Sequence, residues 1–176
     1  MPQISYIARA FVQERLLDAE TGFNYWFPFV APDYQDVAAF QLVQGTNLFI
    51  GALTAPLIDQ SGNATYPMCI LSSAKGSNNN IVTPNEFAGP LITNVDWWIG
   101  FYDSAPPADT ESLGDAIEDA MYETFNNAEY YGLETGTGLT YNGEMDFTRG
   151  PVQQGGPNWI QLIRFTMLHR FVSAGR

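Results

Sequence analysis

Basic residues are absent from a long central part of this sequence. Residues 76–148 include 13 Asp or Glu and no Lys or Arg. Proteins that grip DNA or RNA use Lys and Arg to displace counterions from the phosphates, so this segment is unsuited to such binding. The seven basic residues all lie outside it: Arg9, Arg15, Lys75, Arg149, Arg164, Arg170 and Arg176. We therefore expect one acidic and one basic surface.

Cysteine and long apolar runs are also scarce. The single Cys69 excludes an internal disulfide and is expected to be a small buried apolar residue. No apolar run approaches the roughly 20 residues that cross a bilayer, and the first ten residues lack a signal-peptide pattern, so we expect a cytoplasmic origin and no membrane partner. The length of 176 residues, 45% of them apolar, predicts one folded domain over residues 1–176.

Signatures of catalysis are missing as well. His169 is the only histidine and has no neighbouring Cys or second His with which to bind a metal. The sequence contains no nucleophile elbow and no phosphate-binding glycine loop, so we expect no enzymatic activity, no catalytic residue, no metal and no cofactor. Carboxylates are numerous in this sequence. A pair at the separation used by glycosidases, or a group on one helix face that could bind calcium, is therefore weak evidence for either function.

The N-terminal part of the sequence shows helical spacing followed by a run of aromatic residues. Apolar residues recur every three or four positions over residues 4–16, which predicts an amphipathic helix that ends near Thr21-Gly22. Seven aromatic residues and two prolines within residues 23–40 predict short helical turns. Three short strands are predicted at residues 40–44, 47–53 and 66–73, and a projecting polar loop at residues 75–84.

The middle of the chain contains its clearest strand and its clearest helix. Apolar residues alternate with polar ones over residues 91–102, which predicts a long strand with one apolar face. Residues 112–125 then show a helical apolar stripe, opened by the capping pair Ser112 and Asp115. The opposite side of this helix is acidic, and its ordinary interpretation is a solvated surface.

The last part of the chain predicts more antiparallel structure. Asn142-Gly143 is the dipeptide preferred in two-residue turns, which predicts a hairpin over residues 139–148. Residues 159–172 alternate again and predict a closing strand long enough for another subunit to occupy part of its edge or face. The fold class that follows is α+β, a mainly antiparallel sheet with two principal helices packed on one face.

Several short sequence motifs, together with the order of the predicted elements, point to a known family. They are Tyr6-Ile7-Ala8-Arg9 and Gly22-Phe23-Asn24, Tyr66-Pro67, the helix Glu111-Ser112-Leu113-Gly114-Asp115-Ala116-Ile117-Glu118-Asp119-Ala120, Asn142-Gly143, and the closing strand from Asn158-Trp159 to Phe171. In these motifs and in layout, the sequence resembles the bacteriophage tail-terminator or tail-completion proteins of the phage neck. The match spans most of the chain, and none of these sequence motifs is a catalytic signature.

The resemblance implies a tail-terminator-like α+β subunit of the virion, made in the host cytoplasm. Such subunits assemble as homo-oligomeric rings, commonly hexamers, that cap the tail tube and join it to the head-side connector or stopper. DNA passes through the ring without specific binding, and an acidic channel wall would repel its phosphates. Ring closure needs two different surfaces on each subunit. The interface candidates are Arg164, Arg170, Trp98, Asp115, Glu118 and Asp119.

Two other functions fit the same sequence. The chain could be a different ring-forming neck or tail protein, such as a stopper, a head-completion protein or a tube subunit. It could also be a carbohydrate-binding module or small glycosidase that uses Trp98, Tyr102 and a carboxylate, since aromatic side chains can stack on sugars.

Overall fold

The computed structural model describes residues 4–51, 67–75, 81–83, 86–87, 90–102, 107–126, 139–155 and 158–171. Its helices are α1 (Ile4–Leu17), α2 (Phe23–Val30) and α3 (Pro107–Asn126), with a 3-10 turn at Ala31–Asp33. Its strands are β1 (Leu48–Ile50), β2 (Met68–Lys75), β3 (Ile81–Thr83), β4 (Glu86–Phe87), β5 (Pro90–Tyr102), β6 (Leu139–Arg149), β7 (Gln153–Gly155) and β8 (Asn158–Phe171).

The main sheet has the strand order β1-β2-β5-β8-β6, and β7 pairs with β8 beyond the end of β6. Strand β1 pairs in parallel with β2, whereas the other pairings of this sheet are antiparallel. The expected α+β class is confirmed, with the correction that the sheet is mixed. Strands β3 and β4 form a separate two-stranded ribbon.

Strands β5 and β8 form the centre of the sheet. They pair over 13 residues without a register shift, from Pro90 opposite Arg170 to Tyr102 opposite Asn158. Side chains alternate between the two faces of a strand, and the buried residues here are Thr93, Val95, Trp97 and Ile99 on β5 and Gln161, Ile163, Phe165, Met167 and His169 on β8. The predicted apolar faces of both long strands are therefore confirmed.

One hydrophobic core joins these strands to the helices. Helix α1 contributes Ala8, Phe11, Val12 and Leu16, and α3 contributes Leu113, Ala116, Ile117, Ala120, Met121 and Phe125. An aromatic group fills the space next to β5, where the Phe23 ring lies 4.7 Å from the Trp97 ring and 5.0 Å from the Phe27 ring. Cys69 belongs to this core, as predicted, and burial raises the pKa of its thiol.

Helix α1 ends before the predicted stop at Thr21-Gly22. The helix stops at Leu17, because Asp18 begins a turn in which its carboxylate accepts the backbone N–H groups of Glu20 and Thr21. Gly22 then stands before α2, where a Cβ atom would lie 2.5 Å from the carbonyl oxygen of Asp18. The predicted stop at Thr21-Gly22 is thus the start of the next helix.

The predicted strand at residues 40–44 is wrong. The backbone groups of Leu42 are bonded to the side chain of Asn24, which accepts from Leu42 N at 2.7 Å and donates to Leu42 O at 2.9 Å. The side chain of Asn47 likewise accepts from Val43 N and donates to Gln41 O. Side chains therefore occupy the polar groups that a sheet ladder would use. The short helical turns predicted at residues 23–40 are confirmed.

Helix α3 begins five residues before the predicted capping pair. Pro107 is its first residue, a position where proline costs nothing because no intrahelical hydrogen bond needs its N–H. Ser112 and Asp115 therefore lie inside the helix, and Asp115 forms an ion pair with Arg149 instead of a cap.

The hairpin predicted at Asn142-Gly143 is also wrong. Strand β6 runs through both residues, and its register against β8 shifts there. From Tyr141 to Met145 the strand advances four residues, while its partner advances only two, from His169 to Met167. Glycine relaxes the backbone limits at such an irregularity, so the same dipeptide supports a bulge instead of a turn.

The predicted polar loop falls largely outside the described residues. The loop predicted at residues 75–84 includes residues 76–80, which lie outside the described part of the chain, whereas Lys75 ends β2 and Ile81–Thr83 forms β3. Among the helices that are described, none combines the length and the apolar character needed to span a membrane.

His169 is buried in the core as a neutral side chain. Its ring lies 6.0 Å from Phe11 and 5.6 Å from Tyr141, and neither ring nitrogen has a hydrogen-bond partner in the described structure. Burial lowers the pKa of His169 from 6.5 to about 4. Between these pH values His169 therefore binds a proton in the unfolded chain but not in the folded chain.

Acid should therefore destabilise this protein through His169. As the pH falls from 7 to 4, we expect the wild type to lose up to about 3 kcal/mol more unfolding free energy than His169→Leu, which has no proton to exclude. Urea unfolding of both proteins at half-unit pH steps measures this difference. Parallel curves for the two proteins would show that the histidine does not titrate on unfolding.

Candidate functional site

The sheet face opposite the buried residues of β5 and β8, here called the outer face, carries polar pairs at its centre. Arg164 lies opposite Asp96, to whose two carboxylate oxygens its Nε and Nη2 each donate at 2.7 Å. Beside them, Thr166 donates to Asn94 at 3.2 Å. The hydrogen bond to Asp96 raises the pKa of Arg164, as a charge-assisted bidentate contact does.

Arg164 thus has a partner within its own chain, which changes its interpretation as an interface candidate. Replacing it by Glu would set a carboxylate beside Asp96, so a charge reversal would act on the subunit as well as on any neighbour. Arg170 lies opposite Pro90 and Thr140, and its side chain is outside the described part of the structure. Strand β8 leaves no free edge, since β5 flanks one side and β6 and β7 the other.

An apolar cavity of about 290 Å³ opens at the end of the outer face. It is called here the Trp98 pocket and is lined by Trp98, Gly150, Pro151, Gln153, Ile160 and Leu162. Leu162 pairs with Trp98 and Ile160 with Gly100, so β5 and β8 build its floor. Because this lining offers one polar side chain, Gln153, the pocket suits an apolar group better than a sugar, which needs several hydrogen-bond partners.

The acidic side of α3 is tied to the sheet by one cation, Arg149 on β6. Its Nη1 lies 2.7 Å from Glu111, and its Nη2 lies 2.7 Å from Asp115 and 3.2 Å from Glu118. The spacing of four and then three residues places the three carboxylates on one stripe of the helix. The buried Gln161 completes this Arg149 cluster, because its Nε2 donates to Glu111 and to the carbonyl oxygen of Gly150.

Close contact between α3 and the sheet makes this cluster compact. A Cβ atom at Gly114 would lie 3.1 Å from Cδ1 of Ile163 and 3.2 Å from Cζ of Arg149, so a larger residue would push the guanidinium away. Burial lowers the pKa of Arg149, but its hydrogen bonds to Asp115 and Glu111 outweigh that effect and leave the pKa raised.

Glu118 has a raised pKa within the Arg149 cluster. Burial raises its pKa, and the nearby Arg149 only partly opposes this. Asp115 and Asp119 raise the pKa further through like-charge repulsion. The charged form of Glu118 is therefore tolerated at neutral pH because Arg149 is beside it.

Asp119 has a different partner on the same helix. It accepts a hydrogen bond from the hydroxyl of Tyr34, which follows the 3-10 turn after α2. This bond raises the pKa of Tyr34 to about 12, and burial and the negative charge of Asp119 add to the effect. The contact fastens the segment after α2 to α3.

The five interface candidates whose side chains are described therefore lie at three separate places, and the side chain of Arg170 is outside the described part of the structure. Arg164 and Trp98 are on the outer face, Asp115 and Glu118 are in the Arg149 cluster, and Asp119 is bonded to Tyr34. Sequence reasoning did not identify Arg149, Gln161 and most of the pocket lining as site residues. The available signal for Arg149 was its position as the first cation after the acidic segment.

Candidate metal ligands among the described residues lie apart, and His169 and Cys69 lie inside the protein. The described residues include no group of three or more His, Cys, Asp or Glu side chains arranged to hold a metal. His169 and Cys69 are fully buried, so neither can meet a substrate from solution.

No protein-family model matches the sequence, and a search of curated proteins also finds no match.

Removing the central cation should show what the Arg149 cluster does. We expect Arg149→Met to lower the unfolding free energy by about 1–2 kcal/mol at pH 7, because the partly buried Glu118 and the half-exposed Glu111 and Asp115 then lack a counter-charge. Relative to wild type, the loss should shrink as the pH falls towards 4 and Glu118 takes up a proton. Urea unfolding at both pH values measures it.

Arg164→Met is the matched control, since it removes a cation that faces a single carboxylate. Its loss at pH 7 should be of similar size, about 1–2 kcal/mol, because Asp96 is only 14% exposed and then lacks its counter-charge. An Arg149→Met loss that stays constant with pH would contradict the electrostatic role and indicate lost packing against Phe147, whose ring centroid lies 5.6 Å from the guanidinium.

Proposed function

We propose that this chain is a non-enzymatic structural subunit of a bacteriophage neck. It forms a homo-oligomeric ring, expected to be six-fold, that caps the tail tube and joins it to the head-side connector or stopper. DNA passes through the ring without being bound, and the protein resides in the virion. In this proposal the subunit has a tail-terminator-like fold, with α1 and α3 packed on one face of the sheet.

The observation that carries the proposal is the charge of α3 and its surroundings. The helix contains six Asp or Glu and no Lys or Arg. Two described cations are bonded to it: Arg15 donates to the carbonyl oxygen of Thr124, and Arg149 faces three carboxylates. The cluster therefore stays negative after pairing. A surface of this kind repels phosphate within a Debye length of about 8 Å, which suits a wall that DNA slides past.

The two unlike sides of the sheet also suit a ring. The outer face carries the Arg164 pair and the Trp98 pocket, whereas the opposite face packs into the core with the helices. A subunit with two different exposed sides can make a heterologous contact, in which one surface meets another on its neighbour. Such contacts close into rings when the rotation between neighbours permits.

A stopper, a head-completion protein or a tube subunit would share these properties, so position in the particle separates them. Labelling of the chain at the head-proximal end of finished tails would support the terminator position. The carbohydrate-binding alternative is not favoured by the apolar lining of the Trp98 pocket.

The purified protein should assemble into closed rings. We expect one dominant oligomer, with six-fold symmetry, in native mass spectrometry and negative-stain images at micromolar concentration. In a gel-shift assay at low salt the ring should leave linear DNA unshifted, because its acidic surfaces repel phosphate. A protein that remains monomeric at high micromolar concentration, or that binds DNA tightly, would overturn the proposal.

A further inference from the structure

An exposed aromatic pair stands on α2, on the side away from the core. Phe23 and Phe27 point inward and are fully buried, whereas Tyr25 and Phe29 are 37% and 63% exposed. The rings of Tyr25 and Phe29 lie 5.3 Å apart, one helical turn from each other. They form a raised apolar patch, called here the aromatic knob.

The aromatic knob and the Trp98 pocket lie on opposite sides of the subunit. Phe23, beneath the knob, packs on Trp97 of β5 with ring centroids 4.7 Å apart. The next residue, Trp98, points to the other face of the sheet and lines the pocket. The knob and the pocket are therefore supported by two adjacent residues of β5, Trp97 and Trp98, on opposite faces of the sheet.

The pocket has the size and chemistry to receive an aromatic side chain. A cavity of roughly 150 Å³ lined by apolar groups is sufficient to hold benzene, and the Trp98 pocket measures about 290 Å³. Its surroundings include Trp98, Pro151 and Leu162. Aromatic side chains buried in such pockets are typical centres of protein–protein contacts.

Charge favours a second copy of this chain as the occupant. Residues 23–37, which form the knob and the turn after it, contain Asp33 and Asp36 and no Lys or Arg, and both acids are exposed. Two residues from Leu162, Arg164 is 46% exposed while its partner Asp96 is only 14% exposed, so the cation is the more accessible charge. Asp146 lies farther away, opposite Thr166.

We propose that the aromatic knob of one subunit inserts into the Trp98 pocket of the next, with Asp33 directed towards Arg164. The contact is heterologous, because knob and pocket are different surfaces, and repetition of it around an axis closes a ring. This inference rests on the proposed ring and names the residues that join its subunits.

Cysteine cross-linking between two separately labelled chains tests the contact directly. One chain carries Pro28→Cys, at an exposed position of α2 beside the intact knob, and the other carries Gln153→Cys at the exposed rim of the pocket. The two are mixed with a short bismaleimide linker. The wild type gives a low background, because Cys69 is fully buried and the pKa of its thiol is raised. We expect a covalent dimer only in the mixture and a ladder up to the ring size from the double variant.

Tyr6→Cys mixed with Gln153→Cys is the matched control, since Tyr6 is an exposed aromatic residue of α1 and 59% exposed. It should give no dimer. Cross-linking of Pro28→Cys chains with one another would overturn the inference by showing a symmetric aromatic contact.

Substitution gives an independent readout. Phe29→Ser should weaken assembly at least tenfold by native mass spectrometry while leaving thermal unfolding of the subunit unchanged, and Tyr6→Ser should leave assembly intact. If rings form and neither the mixed cross-link nor this loss is seen, the knob-in-pocket contact is wrong and the proposed function stands. If the wild type never assembles, both proposals fail.

Discussion

The antiparallel pairing of β5 with β8 is the constraint on which the rest of this structure depends. Because it runs for 13 residues without a shift, every second side chain on both strands faces the same side. A slip of β8 by one residue along β5 would move Phe165 out of the core and carry Arg164 into it. The cost of burying that charge opposes the slip, in addition to the loss of apolar burial.

The aromatic core beside β5 also links the two sides of the subunit. Trp97 supports α2 through Phe23, and the adjacent Trp98 forms a wall of the pocket on the outer face. Burial on one side therefore positions exposed groups on both. A contact surface built in this way is rigid, since its supporting residues are packed and cannot change rotamer without opening the core.

Electrostatics imposes a second constraint on the molecule. With a net charge of -12, most acids must remain in water or share the few cations, and Arg149 alone compensates three carboxylates. This arrangement fastens α3 to the sheet while leaving the helix surface negative. The negative surface on which the proposed function rests therefore also contributes to folding.

Local sequence signals predicted the long elements well and the short connections poorly. The strands β5 and β8 and the helix α3 show uninterrupted periodicity, which burial of one face enforces. Asn142-Gly143 failed because the dipeptide is compatible with both a turn and a bulge, and only the pairing of β6 with β8 decides between them. Residues 40–44 failed because Asn24, 18 residues before Leu42, occupies the backbone groups of Leu42.

Composition and periodicity by themselves determined the α+β class, the buried faces of the long strands and the acidic, cation-free centre of the chain. They also marked Trp98 and the acids of α3 as exposed residues of interest. Only the tertiary structure decided their partners, since the pairs Arg149 with Asp115 and Arg164 with Asp96 join residues 34 and 68 positions apart. Periodicity reports which face of an element is buried, but contacts between elements depend on register and packing, which no local pattern encodes.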